Sequence, residues 1–183
     1  MKKYLHIALM LLCVFVVSSC KDDDDDTEAV EREAYKLEQD IAFQAKVNET
    51  GFVRWYSEAG DGYVCAKLIE KGNGKQAYFN SRVSVYYKGS LTDGTEFEDG
   101  TPFKCAVSSY YANYSNSNPN GYGSVISGWT VALQHMVEGD KYEVWIPQQL
   151  AYGASDNGDI PAYSTLIFEI ELVSVDEQAA SAS

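Results

Sequence analysis

The chain has 183 residues, 45% of them apolar and 22% charged, which suits one packed domain with short appendages and excludes wholesale disorder. A formal charge of −13 argues against a nucleic-acid partner, because phosphate binding needs clustered lysine and arginine. His6 and His135 are the only histidines, which excludes a multi-histidine metal site. Beyond the N-terminal run, no apolar stretch approaches the ~20 residues of a spanning helix.

Lys2 and Lys3 precede an apolar run from Leu5 to Val17, too short and too N-terminal to read as a stable membrane span. The run ends in Val17-Ser18-Ser19-Cys20. Small residues before a cysteine resemble the lipobox of bacterial lipoproteins. That resemblance implies a signal peptide over residues 1–19 and an acylated Cys20. It also implies a lipid anchor in the bacterial cell envelope, on the periplasmic or surface face of the outer membrane. Lys21 and Asp22 to Asp26 follow directly. Like charges repel, so residues 20–27 are expected to form an extended, hydrated tether.

From Glu28 to about Asn48, apolar residues recur at Val30, Ala34, Leu37, Ile41 and Ala45. Steps of three and four put them on one helical face. Thr27 can cap this helix, and Gly51 lies just past its end. Residues 28–61 are therefore expected to form a helical arm and linker, with that face packed on the chain's own domain. Pairing with a second copy is the alternative, and the sequence leaves the oligomeric state open.

Strand patterns begin at Tyr63. Val64, Ala66 and Leu68 alternate, and Gly72-Asn73-Gly74 ends the run in a turn. Val83, Val85 and Tyr87 share one face of the next strand. Thr92-Asp93-Gly94 turns the chain into Thr95 to Glu98, which makes a hairpin. Residues 108–123 are rich in Tyr, Asn, Ser and Gly and read as a long loop. In the stretch Trp129 to Met136, Trp129, Leu133 and Met136 fall on one face of a short helix. Tyr142, Val144 and Ile146 alternate again. Leu166, Phe168, Ile170 and Leu172 alternate most clearly, with Ile167, Glu169 and Glu171 facing away. These elements predict an α+β fold in which an antiparallel sheet carries one short helix across a face, preceded by an N-terminal helix. Cys65 and Cys105 both lie in strand patterns and read as small core residues, although export would permit a disulfide. A disordered tail is expected over 177–183.

Seven motifs occur in order. They are Val85-Tyr86-Tyr87-Lys88-Gly89, Asp93-Gly94-Thr95-Glu96-Phe97-Glu98, Pro102-Phe103, Val125-Ile126-Ser127-Gly128-Trp129, Ile146-Pro147-Gln148-Gln149-Leu150-Ala151-Tyr152-Gly153, Ile160-Pro161 and Leu166-Ile167-Phe168-Glu169-Ile170-Glu171-Leu172. Together they resemble the FKBP-type peptidyl-prolyl cis–trans isomerases, most closely the secreted bacterial members, over residues 62–176. The resemblance implies a half-wrapped antiparallel sheet around a short helix. It also implies a proline pocket of Tyr87, Phe97, Glu98, Phe103, Val125, Ile126, Trp129, Tyr152, Ile160 and Phe168. Trp129 would form the floor under the proline ring. The backbone N–H of Ile126 and the hydroxyl of Tyr152 would hold the substrate's carbonyls.

Such a pocket needs no cofactor, no metal and no nucleophile, and its partners would be proline-containing unfolded or extended polypeptides. This sequence departs from the family pattern in several places. Glu98 stands where aspartate is usual, the stretch from Phe97 to Phe103 is short, the stretch from Lys104 to Val125 is long, and the flap from Ser155 to Asp159 is acidic where the family often carries apolar or aromatic groups. The long stretch supplies Tyr110, Tyr111, Tyr114 and Tyr122 as candidate partner contacts. They frame a second reading, an FKBP-like binding module with weak or no isomerase activity that takes protein or glycan through this loop. Asp156-Asn157-Gly158-Asp159 is an acidic turn, but it lacks the further ligands a calcium site needs.

Overall fold

A computed structural model describes residues 24–113 and 122–178. The signal segment, Cys20, the tether up to residue 23, Tyr114 and residues 179–183 lie outside the described residues, whereas Glu177 and Gln178, expected in a disordered tail, pair as strand with Arg82 and Ser81. Contacts within the chain divide it into two units, residues 1–32 and 33–183. Among the described residues, no helix is long and apolar enough to cross a membrane.

Helix α1 (Asp24–Val47) begins inside the acidic run. This corrects the expectation of an extended tether as far as residue 27. Negative charge in the sequence of a helix's first turn is favourable, because the N–H groups there are unpaired and the helix dipole is positive at that end. From Glu33 onward the packing face is also not the expected one. Gln39 and Phe43 are buried at 2% and 4% exposure, whereas Leu37 and Ile41 stand 61% and 58% exposed. The inward stripe runs Tyr35, Gln39, Phe43 and Lys46, at steps of four, four and three, on the face opposite the aliphatic one.

What this stripe meets explains the choice. The Tyr35 hydroxyl lies 2.8 Å from Ser164 Oγ. Gln39 Oε1 accepts the Thr165 N–H and the Thr92 hydroxyl, each at 3.1 Å. Phe43 joins Cys65 and Trp145 in a small core of its own. Lys46 sets its ammonium 4.8 Å from the Trp145 ring centre and 2.7 Å from Glu49 Oε2. Polar and aromatic groups that pair specifically with the sheet outcompete an aliphatic stripe that finds no hollow to fill.

The sheet has six strands, β1 (Phe52–Tyr56), β2 (Tyr63–Glu70), β3 (Ser81–Ser90), β4 (Glu96–Ala106), β5 (Lys141–Ile146) and β6 (Leu166–Gln178). Their spatial order is β1-β2-β5-β6-β3-β4, and every pairing is antiparallel. β1 fell within the expected linker. Its sequence does not alternate, and its place comes from pairing Phe52 to Tyr56 against Lys67 to Tyr63. The hairpin turn at Thr92-Asp93-Gly94 forms as expected: Leu91 and Thr95 close it with a backbone hydrogen bond of 2.9 Å, and Gly94 supplies a φ of +90°.

Alternation sorts the strand side chains onto two faces. Cys65, Trp145 and Ile167 lie under helix α1, while Val64, Val144, Leu166, Phe168 and Ile170 join the main core. Cys65 and Cys105 are both free and buried. Burial pushes their thiols up to about 11 and about 12, so neither is a ready thiolate.

The region read as one long loop contains a short helix, α2 (Ser109–Asn113). Helix α3 (Ser127–Leu133) then crosses the inner face of the sheet, with Trp129, Leu133 and the following Met136 all buried. Gly128 lets it come that close: a Cβ there would lie 2.3 Å from Ile146 Cγ2.

Candidate functional site

The inner face of the sheet is not fully plugged by helix α3. Between its first turn, strands β3, β4 and β6, and the segment 152–160 lies a cavity of about 550 Å³. Tyr87, Phe97, Glu98, Phe103, Val125, Ile126, Trp129, Tyr152, Ile160 and Phe168 all line it. The ten residues assigned to the proline pocket thus converge on one hollow.

The hollow is built from ring edges. Trp129 is 4% exposed and Phe168 5%. Their planes meet at 85° with centres 5.3 Å apart, and Tyr87 meets Trp129 at 87° and 4.9 Å. Phe103 closes one flank against Tyr87 at 5.8 Å, and Phe97 closes another against Phe168 at 5.6 Å. Edge-to-face pairs of this kind hold rings at fixed angles, so the hollow stays open and does not collapse face to face. Gly89 makes room for the arrangement, since a Cβ there would lie 2.4 Å from Phe97 Cε2 and 3.1 Å from Phe168 Cε1.

Polar groups line the hollow beside the rings. The Glu98 carboxylate lies near the Tyr87 hydroxyl, and both groups line the hollow. Burial first, and then Glu98, pushes the Tyr87 hydroxyl up to about 12, so it stays a donor throughout the physiological range. Burial also raises the Tyr152 hydroxyl above its ordinary value, and that residue is 38% exposed at the mouth. Ile126 is the extended residue that opens helix α3, and its carbonyl accepts the N–H groups of Trp129 and Thr130. Among the described residues, no three His, Cys, Asp or Glu side chains are grouped to hold a metal ion.

Four lining residues fell outside the expected set: Ser124, Asn157, Gly158 and Asp159. They are loop neighbours of Val125 and Ile160, and a loop carries no periodicity to reveal which way it faces. The segment that carries the last three is shaped from within. Asn157 and Ile160 exchange backbone hydrogen bonds of 2.9 and 3.1 Å, and Asp156 Oδ1 accepts the Ala162 N–H at 2.7 Å.

The tyrosines expected on a partner loop divide. Tyr110 is 58% exposed on α2. Tyr122 is not a surface contact, being only 7% exposed. Its hydroxyl donates to Asp176 Oδ2 at 3.0 Å, and its ring lies between Arg82 and Lys104 at 5.4 and 5.9 Å. Burial of this ring against strands β3, β4 and β6 removes it from the candidate contacts. The side chains of Tyr111 and Tyr114 are outside the described set.

Comparison with known proteins gives a consistent answer. Residues 74–173 match the model of the FKBP-type peptidyl-prolyl cis-trans isomerase family. The FKBP-type peptidyl-prolyl cis-trans isomerase FkpA of Aeromonas hydrophila is 33% identical over 157 residues, covering 85% of this chain and 51% of its own. The FKBP-type 22 kDa peptidyl-prolyl cis-trans isomerase of Escherichia coli is 40% identical over 114 residues, covering 60% of this chain and 48% of its own. The chain thus spans about half the length of these curated relatives. The crystal structure of a peptidyl-prolyl cis-trans isomerase from Pseudomonas syringae superposes with a TM-score of 0.63 at 28% identity, covering 86% of this chain and 100% of that one.

Proposed function

The chain belongs to the FKBP-type peptidyl-prolyl cis-trans isomerase family, and from that membership and the shape of its cavity we propose that it catalyses rotation about Xaa–Pro bonds in unfolded or extended polypeptides. The observation that carries the reading is the cage of ring edges standing on Trp129.

Rotation about an Xaa–Pro bond must break amide resonance, at a barrier of about 18–20 kcal/mol. Unaided exchange takes ~10–100 s. Water stabilises the planar, dipolar amide by hydrogen bonding to its carbonyl, so a dry aromatic hollow favours the twisted form. Each ~1.4 kcal/mol gained only in the twisted state is tenfold in rate.

In this reading the proline ring lies on Trp129, walled by Tyr87, Phe97, Phe103 and Phe168. Val125 and Ile160 close the sides. The Ile126 N–H and the Tyr152 hydroxyl hold the flanking carbonyls, and Glu98 lines the hollow near the Tyr87 hydroxyl. No proton transfer and no covalent step is required. The isomerase unit is assigned to residues 62–176.

The reading extends to place and role. The order of apolar run, small residues and Cys20 supports a lipid-anchored folding helper of the bacterial envelope. Mass spectrometry of the purified chain checks this part: acyl mass at residue 20 that is lost in Cys20→Ala supports it, and an unmodified Cys20 overturns it. A protease-coupled assay on an Xaa–Pro peptide tests the enzymatic reading. Acceleration by the folded chain is expected. No acceleration, with the fold verified, turns the assignment to a proline-peptide binding module.

A further inference from the structure

Resting on the isomerase reading, we propose that the cavity selects its substrates by charge and prefers proline segments flanked by lysine or arginine, with Asp159 and Glu98 as the residues that set the preference.

The floor and walls of the hollow are apolar rings, but its lip is not neutral. Glu98 at the start of β4 and Asp159 on the segment before Ile160 both line it. Among the described residues, no lysine, arginine or histidine lines it. The two lysines on β3 and β4 have partners of their own. Lys88 Nζ lies 3.9 Å from Asp99 Oδ1, and Lys104 Nζ lies over the Tyr122 ring. A proline segment entering the hollow therefore brings its flanking side chains past two carboxylates and no cation.

The rest of the molecule reinforces this local sign. The formal charge is −13, so the long-range field draws basic chains and repels acidic ones. The apolar cage takes any proline ring and cannot sort substrates by what lies beside it. The carboxylates at the lip supply that discrimination, through attraction to one class and repulsion of the other. Exposed charge pairs are individually weak, so the expected preference is a ratio of rates, not an absolute filter.

The test uses the full chain, isotope-labelled, and peptides that differ only in Lys, Gln or Glu placed before or after a single proline. The Trp129 indole signal reads binding, and exchange between the cis and trans peptide signals reads turnover. Lys peptides are expected to exceed Glu peptides by about tenfold in both, with Gln between. In about 1 M salt the ratio should fall towards one. Asp159→Asn should cut the ratio to about threefold, and Asp159→Lys should abolish or invert it. The side chain of Asp159 is exposed on a loop, so these variants are expected to fold.

Equal binding of Lys and Glu peptides at low salt, or a ratio unmoved in Asp159→Lys, overturns the proposal. If every peptide isomerises at one rate and binds equally, charge selection fails and the isomerase reading stands. If none isomerises while the Lys preference in binding persists, the isomerase reading fails and charge selection stands.

Discussion

Gly89 and Phe97 occupy space that only one of them can enlarge into. A methyl group on Gly89 would lie 2.4 Å from Phe97 Cε2 and 2.7 Å from its Cζ. The first residue sits on β3, between β6 and the edge strand β4, and the second forms a wall of the cavity. Gly89→Ala must therefore push the Phe97 ring towards the hollow. Overpacking of this kind costs about 1–3 kcal/mol, and kcat/KM should fall at least about tenfold as the cage narrows. The same substitution made in a Phe97→Ala background should cost clearly less stability, because the clashing ring is gone. Denaturant melts of the four proteins of this cycle check the coupling.

Tyr152→Phe removes a hydroxyl at the mouth and leaves the ring. Loss of one neutral hydrogen bond made to the bound peptide is worth about 0.5–1.5 kcal/mol, or roughly a two- to tenfold loss of kcat/KM. Phe97→Ala removes a whole wall and should cost more turnover. Both variants are expected to keep the wild-type circular dichroism spectrum, since each side chain is only partly covered. A peptide assay on both variants checks the order of effects.

Gln39 ties helix α1 to the chain just before β6. Its side-chain oxygen accepts the buried Thr165 N–H, and its backbone carbonyl accepts the Thr165 hydroxyl at 3.2 Å. Gln39→Ala strands that N–H in a buried setting, at about 1–3 kcal/mol. For a chain of this size each kcal/mol is worth about 2–4 °C in Tm. Leu37→Ala, on the exposed face of the same helix, should change stability by less than about 0.5 kcal/mol. Thermal melts that rank the two in the opposite order would contradict the packing described for α1.

Stability should fall in acid by a route that includes Glu138. Hydrogen bonds from the Val175 and Lys75 N–H groups, at 2.7 and 3.1 Å, hold its carboxyl below the ordinary value of 4.5. The unfolded chain therefore takes up this proton first as the pH drops. The stabilisation is fully present above about pH 4.5 and is lost as the pH falls through the lower, folded value. Glu138→Gln should flatten this part of the curve, read as the denaturant midpoint against pH.

Much of this architecture was legible in the sequence, and the misses have physical causes. Alternation marked β2, β3, β5 and β6, because each has one face in the main core. β1 was not visible: five residues, Phe52 to Tyr56, take their conformation from pairing with β2 and not from burial of one face. The inward face of α1 does not follow its aliphatic stripe, because Tyr35, Gln39 and Phe43 make the contacts. The ring cage was legible as ordered motifs, as were Glu98 at its lip and the acidic character of residues 155–159, but not that Asp159 itself faces the hollow. Asp159 and Ser124 sit on loops, where orientation follows from local hydrogen bonds that no spacing encodes. Tyr122 looked like a surface residue because its partner, Asp176, lies 54 residues away.

A ring-lined hollow that stabilises the twisted amide speeds prolyl rotation with no titrating catalyst. The most direct measurement is NMR exchange between the cis and trans signals of a Leu–Pro peptide, with a small amount of the folded chain, from about pH 6 to about pH 9. The burial-raised hydroxyls of Tyr87 and Tyr152 stay protonated across this range. Exchange far faster than the unaided ~10–100 s, with one rate at every pH, is the predicted result. Exchange no faster than the free peptide, or a rate that follows an ionisation curve, would contradict the account.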